Sequence, residues 1–398
     1  MTDRLDRRTV LRGGAAVPLA LLAACSSDDS GSSSGSTPSS SSPSSPSTPS
    51  SSGPSSSAPS TSASSASPSA DGLALAPGRE QQVADGIEVP WGIVFLPGGG
   101  ALVSSRDTGA MLRVGGGRAR QVGTVPGVLS NKSQGGEAGL LGLALHPRFA
   151  SEPWVYAYHT TSSDNRVVRM RYDGGRLGRP RTVLDGIEMS LHHNGGGLAF
   201  GPDGHLFVST GDAENKPNAQ DRGSLNGKVL RITDTGRAAS GNPFRNPVWT
   251  YGHRNVEGLA FDADGRLWAS EFGDKGKDEL NRIDRGDDYG WPDVEGGDGP
   301  GGFHDPLATW PVDDCSPSGI AILHGRAWLG ALQGECVYSV VLSGRDQGRV
   351  QRHASGTYGR IRAVAAAPDG SLWVGTSNKD GRADPGPDDD RLLRVTLT

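Results

Sequence analysis

The sequence lacks the features of a membrane-spanning or nucleic-acid-binding protein. No apolar run among its 398 residues approaches the roughly 20 that a membrane-spanning helix needs. The formal net charge of −5 is mild and does not indicate a nucleic-acid-binding surface. Aromatic residues make up 6% of the chain and there are three cysteines, whereas glycine and proline number 60 and 27. This composition favours one large all-β unit plus a tail.

The first 25 residues have the pattern of an export signal. Residues 7–12 (RRTVLR) form a twin-arginine pattern, and a short apolar stretch at 15–24 follows. The stretch ends in LAAC, which is similar to a lipobox whose cysteine, Cys25, is acylated. We therefore predict a twin-arginine lipoprotein signal peptide at 1–25 and a protein held outside the cytoplasmic membrane by lipid on Cys25. An ordinary secretory signal with an incidental cysteine is the alternative.

The segment that follows the signal is a predicted linker. Residues 26–70 contain 26 serines, and Pro, Thr, Gly and Ala make up most of the rest. Such a segment has almost no apolar surface to bury, so it cannot offset the entropy lost on ordering. We predict a disordered Ser/Pro-rich tether over 26–76.

Two cysteines remain if Cys25 is lipidated. Cys315 and Cys336 flank two apolar runs with a Gly325 turn between them. A hairpin there would bring its ends together, and an oxidising compartment favours a disulfide. Two free buried thiols are the alternative.

One pattern recurs six times: an apolar residue, a short turn containing Pro, Asp or Gly, and an alternating strand. The first four copies begin 50, 55 and 61 residues apart, which is room for about four short strands with turns. Asp-Gly supplies the positive φ of a tight hairpin. Six copies predict an all-β fold, a six-bladed β-propeller over 77–398, with a double sandwich as the competitor. The copies begin at Phe95, Leu145, Phe200, Phe261, Ile322 and Ala367.

Polar clusters precede three copies of this pattern. Residues 191–198 (LHHNGGGL) place a histidine beside three glycines, which permit close approach of backbone or ligand. Residues 251–255 (YGHRN) and 360–362 (RIR) carry arginines on equivalent connections, which converge near the axis of a propeller. Three converging arginines indicate an anionic ligand. Arginines paired with acidic surface residues are the alternative.

An acidic loop follows the fourth copy. Carboxylates alternate with glycine at 271–279 (EFGDKGKDE), and 287–292 (DDYGWP) follow. Such oxygen ligands suit a hard cation such as Ca²⁺, although the spacing is not that of an EF-hand. A solvated acidic loop would have the same composition, so both interpretations stay open.

Together these motifs resemble the glucose/sorbosone dehydrogenase family, propellers that use pyrroloquinoline quinone (PQQ). The resemblance runs from about Trp91 to Val395, with the motifs in family order. It implies a PQQ- and Ca²⁺-dependent oxidoreductase that oxidises an aldose or related sugar or polyol and passes electrons to an unidentified acceptor. The motifs are GLLGLALHPRF, HNGGGLAFGPDGHLFVSTGD, YGHRNVEGLAF, DELNRIDRGDDYGWP and RIRAVAAAPDG.

The resemblance implies catalytic and cofactor-binding roles for five positions. His193 matches the catalytic general base. Arg254 and Asn255 match residues that contact the cofactor and reach the substrate, and Arg254 would stabilise developing negative charge. Arg360 and Arg362 match the pair that faces the PQQ carboxylates.

The resemblance also implies two calcium sites. Gly273 and Asp274 match the positions whose backbone carbonyls hold the Ca²⁺ bound to PQQ. Asp278, Glu279 and Tyr289 keep the family spacing for a second, structural Ca²⁺.

Two cofactor-site positions depart from the family pattern. Glu137 stands where the family carries Gln, and Gln333 stands where it carries Lys. His192 stands where some members have Asp. Loss of a cation and gain of an anion are unfavourable for a tricarboxylate cofactor. A non-catalytic surface propeller that binds a saccharide or partner protein is therefore the alternative, and a calcium-dependent lactonase-like propeller fits the arginine set less well.

Overall fold

The structure, a computed structural model, describes residues 75–397 except 298 and 300. The predicted signal peptide, Cys25 and the linker up to residue 74 lie outside the described residues. The first strand begins at Leu75, two residues before the predicted start of the propeller. Within the described part of the chain, no helix has the length and apolar character needed to cross a membrane.

Six antiparallel sheets follow one another along the described chain. Blade 1 contains β2 (Pro90–Phe95), β3 (Ala101–Ser105), β4 (Ala110–Gly115) and β5 (Arg118–Thr124). Blade 2 contains β6 (Leu140–Leu145), β7 (Trp154–Thr160), β8 (Asn165–Asp173) and β10 (Arg181–Ile187), with β9 (Arg176–Leu177) paired to β8. Blade 3 contains β11 (Leu198–Phe200), β12 (Leu206–Ser209), β13 (Val229–Ile232) and β14 (Val248–Thr250).

The last three blades have the same plan. Blade 4 contains β15 (Val256–Phe261), β16 (Leu267–Glu271), β17 (Lys277–Ile283) and β18 (Ala308–Pro311). Blade 5 contains β19 (Pro317–Leu323), β20 (Arg326–Ala331), β21 (Cys336–Val341) and β22 (Val350–His353). Blade 6 contains β23 (Ile361–Ala366), β24 (Leu372–Thr376), β25 (Leu392–Leu397) and β1 (Leu75–Ala84). Two short helices lie in connections, a 3₁₀-helix at Lys132–Gln134 and α1 at Pro217–Gln220.

The blades close into a ring. The first strands contact one another in sequence from β2 through β6, β11, β15, β19 and β23, and β23 contacts β2 again. These strands therefore surround the axis. Strand β1 completes blade 6 by pairing with β25, with Glu80 opposite Val395, so the two ends of the described chain share one sheet. The predicted six-bladed propeller is confirmed.

Glycines allow the first strands to approach each other closely. A Cβ on Gly319 of β19 would lie 2.6 Å from Arg362 O, and one on Gly92 of β2 would lie 2.8 Å from Leu143 N. Both distances are shorter than a methyl group tolerates, so a side chain at either position would force the neighbouring strands apart. The narrow centre of the ring therefore depends on these residues.

The recurring turns connect the first and second strands of a blade. Gly204 donates its N–H to Gly201 O at 2.9 Å, and Gly265 donates to Asp262 O at 3.0 Å. Both glycines have a φ near +80°, at +78° and +80°. The Asp-Gly pairs therefore supply the positive φ that the sequence predicted.

The expected disulfide between Cys315 and Cys336 is not formed among the described residues. Both are buried free thiols. The Cys336 side chain instead interacts with Arg352 and Tyr338, and burial raises its pKa. Burial also raises the pKa of Cys315. The alternative of two free buried thiols is the one that the structure contains.

Candidate active site

A pocket of about 550 Å³ is lined by the connections that precede the first strands and follow the second strands of several blades. It brings together most of the residues selected from the sequence. Those that line it are Glu137, His193, Arg254, Gly273, Asp274, Asp278, Gln333 and Arg360, together with His192.

The His193 side chain is held by a buried carboxylate. Its Nδ1 lies 2.8 Å from Asp212 Oδ1, and Asp212 is completely buried. The other carboxylate oxygen, Oδ2, accepts a hydrogen bond from Trp291 Nε1 at 2.8 Å. A neutral His193 therefore carries its proton on Nδ1 and its lone pair on Nε2. With Nδ1–H held by Asp212, the Nε2 atom can accept a proton.

The His193 backbone adopts a left-handed conformation, with φ +56°. Its N–H donates to Glu137 Oε2 at 3.0 Å, and its carbonyl accepts from Ala213 N at 3.3 Å. A Cβ on Gly211 would collide with His193 O, which explains why glycine precedes Asp212. Since this conformation is unfavourable for a residue other than glycine, these contacts hold the histidine in place.

Arg254 occupies the pocket wall between two carboxylates. Its backbone N–H donates to Glu271 Oε1 at 2.6 Å, and its Nη2 donates to Asp274 Oδ1 at 3.3 Å. Although burial alone would raise the pKa of Asp274, the charges of Arg254 and Lys216 lower it. The guanidinium carbon lies 5.4 Å from the centre of the Trp291 ring. Arg254 Nε is buried and has no hydrogen-bond partner among the described residues.

The two arginines of the RIR motif lie in different places. Arg360 lines the pocket, and its Nε donates to Asp380 Oδ2 at 2.9 Å. Arg362 is buried, and its Nη1 donates to Glu257 Oε2 at 2.8 Å. Each arginine therefore has a buried counter-ion within the protein.

Asn255 is completely buried and braces the wall. Its Oδ1 accepts from Gly195 N at 2.9 Å, and its Nδ2 lies 3.5 Å from Glu137 Oε2. The structure thus places Asn255 and Arg362 behind the surface formed by Arg254 and Arg360.

Two further cations line the pocket, and neither of them was predicted from the sequence. Lys216 lies 3.4 Å from Asp274 Oδ2, and its Nζ lies 4.6 Å from the centre of the Trp291 ring. Arg382, from the connection between β24 and β25, lies 3.6 Å from Glu137 Oε1. Neither residue belongs to a motif with a chemical signature, so their presence here follows only from the fold.

The acidic loop divides between two environments. Asp278 lines the pocket and accepts hydrogen bonds from Gly273 N at 2.9 Å and Ser316 N at 2.6 Å. Burial raises the pKa of Asp278 to about 7. Glu279 and Tyr289 instead line a small adjoining cavity, with Glu271 and Glu295. Arg254, Phe272, Gly273 and Trp291 line both the cavity and the pocket.

Three carboxylates, Glu271, Glu279 and Glu295, line the small cavity together with Arg254 and Lys277. Among the described residues, no cation forms an ion pair with Glu279. Burial and the charge of Glu271 raise the pKa of Glu279 to about 8. The Asn281 amide donates to Glu271 at 3.2 Å and to Glu279 at 2.9 Å, while its buried Oδ1 has no partner in the part of the chain that is described. The Tyr289 hydroxyl donates to Arg282 O at 2.6 Å, so this group braces a turn.

Comparison with known proteins identifies relatives over this whole region. The sequence model of the glucose/sorbosone dehydrogenase family matches residues 87–393. The chain is 31% identical over 337 residues to aldose sugar dehydrogenase YliI of Escherichia coli, covering 75% of this chain and 89% of that protein. It is 30% identical over 284 residues to quinoprotein glucose dehydrogenase B of Acinetobacter calcoaceticus, covering 61% and 59%.

A solved structure shows the same similarity. The PQQ-bound form of an aldose sugar dehydrogenase from Streptomyces coelicolor superimposes with a TM-score of 0.77 at 50% sequence identity. The superposition covers 80% of this chain and 97% of that one.

Proposed function

This chain belongs to the glucose/sorbosone dehydrogenase family, and on that premise we propose that it oxidises a sugar hydroxyl with PQQ in the axial pocket. One observation carries the proposal: His193 lines the pocket with Nδ1 bound to the completely buried Asp212. This arrangement gives a histidine base a fixed tautomer and a fixed direction. The substrate is an aldose or a related sugar or polyol.

The residues present fit an anionic cofactor. Lys216, Arg254, Arg360 and Arg382 all line the pocket. Five carboxylates line the same pocket, so its lining has no formal excess of positive charge, and the fit depends on N–H groups that the protein leaves available; these carboxylates are Glu137, Asp212, Glu214, Asp274 and Asp278. The buried Arg254 Nε, without a partner among the described residues, is a donor for which the protein itself supplies no acceptor. An acceptor oxygen of a bound ligand would satisfy it.

His193, Asp212 and Arg254 have different roles in the proposed reaction. Bound PQQ supplies an acceptor for the hydride that leaves the sugar carbon. His193 Nε2 takes the hydroxyl proton, and the Asp212 carboxylate stabilises the imidazolium that results. Arg254 supplies positive charge beside the reacting atoms, and its position is fixed by Glu271 through the backbone.

We also propose that calcium binds at two places. At the axial pocket, the backbone carbonyls of Gly273 and Asp274 would hold the ion that accompanies PQQ. In the small cavity, Glu279 and Tyr289 would contribute to a structural site. The Asn281 amide contacts both Glu271 and Glu279, and its Oδ1 has no partner among the described residues. A cation there would offset the repulsion between Glu279 and Glu271, which burial makes unfavourable.

We propose further that lipid on Cys25 anchors the protein outside the cytoplasmic membrane. The support is the order of twin arginines, short apolar stretch and LAAC in the sequence. Intact-mass analysis of membrane-extracted protein should give a mature chain that begins at Cys25 and carries the lipid mass. A mature chain that begins at another residue and carries no lipid would contradict the proposed lipid anchor.

Reconstitution tests the catalytic proposal. Purified apoprotein would be titrated with PQQ in the presence of Ca²⁺ and then assayed with a panel of sugars and an artificial electron acceptor. Wild type should bind PQQ at micromolar concentration and reduce the acceptor, whereas His193→Ala should bind PQQ but lose turnover. Absence of PQQ binding would support the alternative of a non-catalytic surface propeller.

A further inference from the structure

The two oxygens of the Glu137 carboxylate contact different partners. Oε2 accepts the His193 N–H at 3.0 Å and lies 3.5 Å from Asn255 Nδ2. Oε1 lies 3.6 Å from Arg382 Nη2. Glu137 is buried, whereas the Arg382 side chain is 39% exposed at the pocket rim. One carboxylate thus links the backbone of the catalytic histidine to a cation contributed by blade 6.

Arg382 is itself fixed at both its side chain and its backbone. Its Nη2 donates to Gly135 O at 2.9 Å, two residues before Glu137. Its backbone N–H donates to Asp380 Oδ1 at 3.0 Å, and Asp380 also accepts from Arg360. Arg382 therefore bridges the connection before β6 and the connection after β24, although these two segments are far apart in the sequence.

We infer that Arg382 is a positioning residue of this chain that acts through Glu137: their ion pair holds the carboxylate against the His193 N–H and so fixes the histidine in its left-handed backbone conformation. The inference rests on the proposed function, since it assigns His193 the role of base. It also explains a departure from the family pattern, because glutamate in place of glutamine at position 137 has a cation opposite it.

The chemistry of the side chain at position 137 supports this coupling. A glutamine could accept the His193 N–H with its carbonyl oxygen, but its NH₂ group would then face the Arg382 guanidinium, donor against donor. A carboxylate presents acceptors in both directions. Without Arg382, the buried carboxylate would lose the cation paired with it and would turn away from the His193 N–H towards water.

A double-mutant cycle tests the inference. The variants are R382Q, E137Q and the combination of both, with R382K as the conservative replacement. R391Q is the matched control, because Arg391 lies on the same segment and pairs with Asp389 at 3.7 Å. The measurements are kcat and KM for sugar, the Kd for PQQ from quenching of tryptophan fluorescence, and the melting temperature of the apoprotein.

The expected results distinguish positioning from direct cofactor binding. R382Q should lower kcat about tenfold while KM for sugar stays within about twofold, and R382K should recover most of the loss. In the E137Q background, R382Q should change kcat by less than about twofold, because the carboxylate that needed a partner is gone. R391Q should behave as wild type. The PQQ Kd should stay within about threefold throughout.

Three outcomes would overturn the inference. Equal effects of R382Q on kcat in both backgrounds would show that Arg382 does not act through Glu137. An equal weakening of PQQ binding in both backgrounds would make Arg382 a direct cofactor ligand. Unchanged kcat in R382Q, with an active wild type, would reject the inference and leave the proposed function standing.

The apoprotein supplies a readout that does not depend on PQQ. R382Q should lower its melting temperature by about 2 °C in the wild-type background and by less in the E137Q background. If wild type binds no PQQ, the proposed function fails, yet the ion-pair coupling is still measured. If the apoprotein shows no coupling, the inference fails whatever the cofactor does.

Discussion

Asp212 Oδ1 lies 2.8 Å from His193 Nδ1, and the carboxylate that makes this contact is completely buried. The same Oδ1 accepts the Glu214 N–H at 2.8 Å, and Oδ2 accepts Trp291 Nε1 at the same distance. With three donors fixing its orientation, Asp212 sets both the direction and the tautomer of the imidazole. In the proposed function, His193 is therefore a base whose orientation is fixed before the substrate binds.

Replacement of Asp212 by asparagine should disable that base. The amide can offer His193 Nδ1 either a donor or an acceptor, so the tautomer is no longer fixed and the imidazolium loses its counter-ion. We expect D212N to lower kcat by roughly 10²–10⁴-fold, with the PQQ Kd, measured by titration of apoprotein, nearly unchanged. Asp264→Asn, at a 71% exposed carboxylate, is the control. Full activity of D212N would show that His193 does not depend on this contact.

The fold was largely predictable from the recurring turns. Six copies of the turn-and-strand pattern correspond to six blades, because each copy connects the first two strands of one sheet. The closing strand was not predictable, since β1 (LAPGREQQVA) contains Pro and Gly and has no alternation of apolar residues. Its partner β25 lies at the other end of the described chain, and pairing over that distance leaves no local signal.

Site residues that belong to a sequence motif were predictable. Residues that lie in the site only because of contacts with distant parts of the chain were not. His193, Arg254 and Arg360 were selected from motifs and line the pocket. Asp212 was missed although it ends the STGD stretch, because its partner is a histidine 19 residues earlier on a different connection. Arg382 was missed because an isolated arginine in a polar loop looks like a surface residue.

Removal of calcium should lower stability through the small cavity. We expect a chelator to lower the melting temperature of wild type by about 5–10 °C, and added Ca²⁺ to restore it. Glu279→Gln should respond less, because its amide is a weaker ligand than a carboxylate. Glu152→Gln, at a carboxylate paired with the exposed Arg148, is the control and should respond like wild type. If chelator leaves the melting temperatures of both wild type and E279Q unchanged, the cavity holds no structural calcium.

A buried histidine should make the fold sensitive to acid. His159 is buried, its Nδ1 has no partner among the described residues, and burial lowers its pKa to about 4. Between about pH 6.5 and pH 4 the unfolded imidazole binds a proton that the folded one does not. The free energy of unfolding should therefore fall as pH falls through this window, by up to about 3 kcal/mol from this residue.

Urea unfolding at several pH values checks this acid effect. Wild type and His159→Gln would be compared from about pH 7.5 to pH 4, and the difference between their free energies of unfolding isolates the histidine from the carboxylates that titrate in both. Below about pH 6.5 the free energy of unfolding of wild type should fall relative to that of His159→Gln, and the difference between the two should level off near pH 4. A difference that is constant over this range would mean that His159 does not contribute to acid sensitivity.

Arg362 forms a buried ion pair with Glu257, and replacing the two partners separates a structural role of the arginine from a cofactor-binding one. Both side chains are 3% exposed, and the guanidinium lies 2.8 Å from Glu257 Oε2. Removal of one partner leaves an uncompensated buried charge, so Arg362→Met should lower the free energy of unfolding by about 3–5 kcal/mol. Arg394→Met is the matched control, since Arg394 pairs with Asp369 at 2.9 Å on the exposed surface and its loss should cost less than about 1 kcal/mol.

The double variant Glu257→Gln/Arg362→Met shows whether the destabilisation comes from the unpaired charge. It should recover most of the loss, because neither charge then remains in the interior. The PQQ Kd of the double variant, measured by titration, decides the role of Arg362. A nearly unchanged Kd would make Arg362 a structural partner of Glu257 behind the pocket wall. A Kd weakened about tenfold or more in a stably folded double variant would instead show that Arg362 reaches the cofactor carboxylates, and that Glu257 holds it only until the cofactor binds.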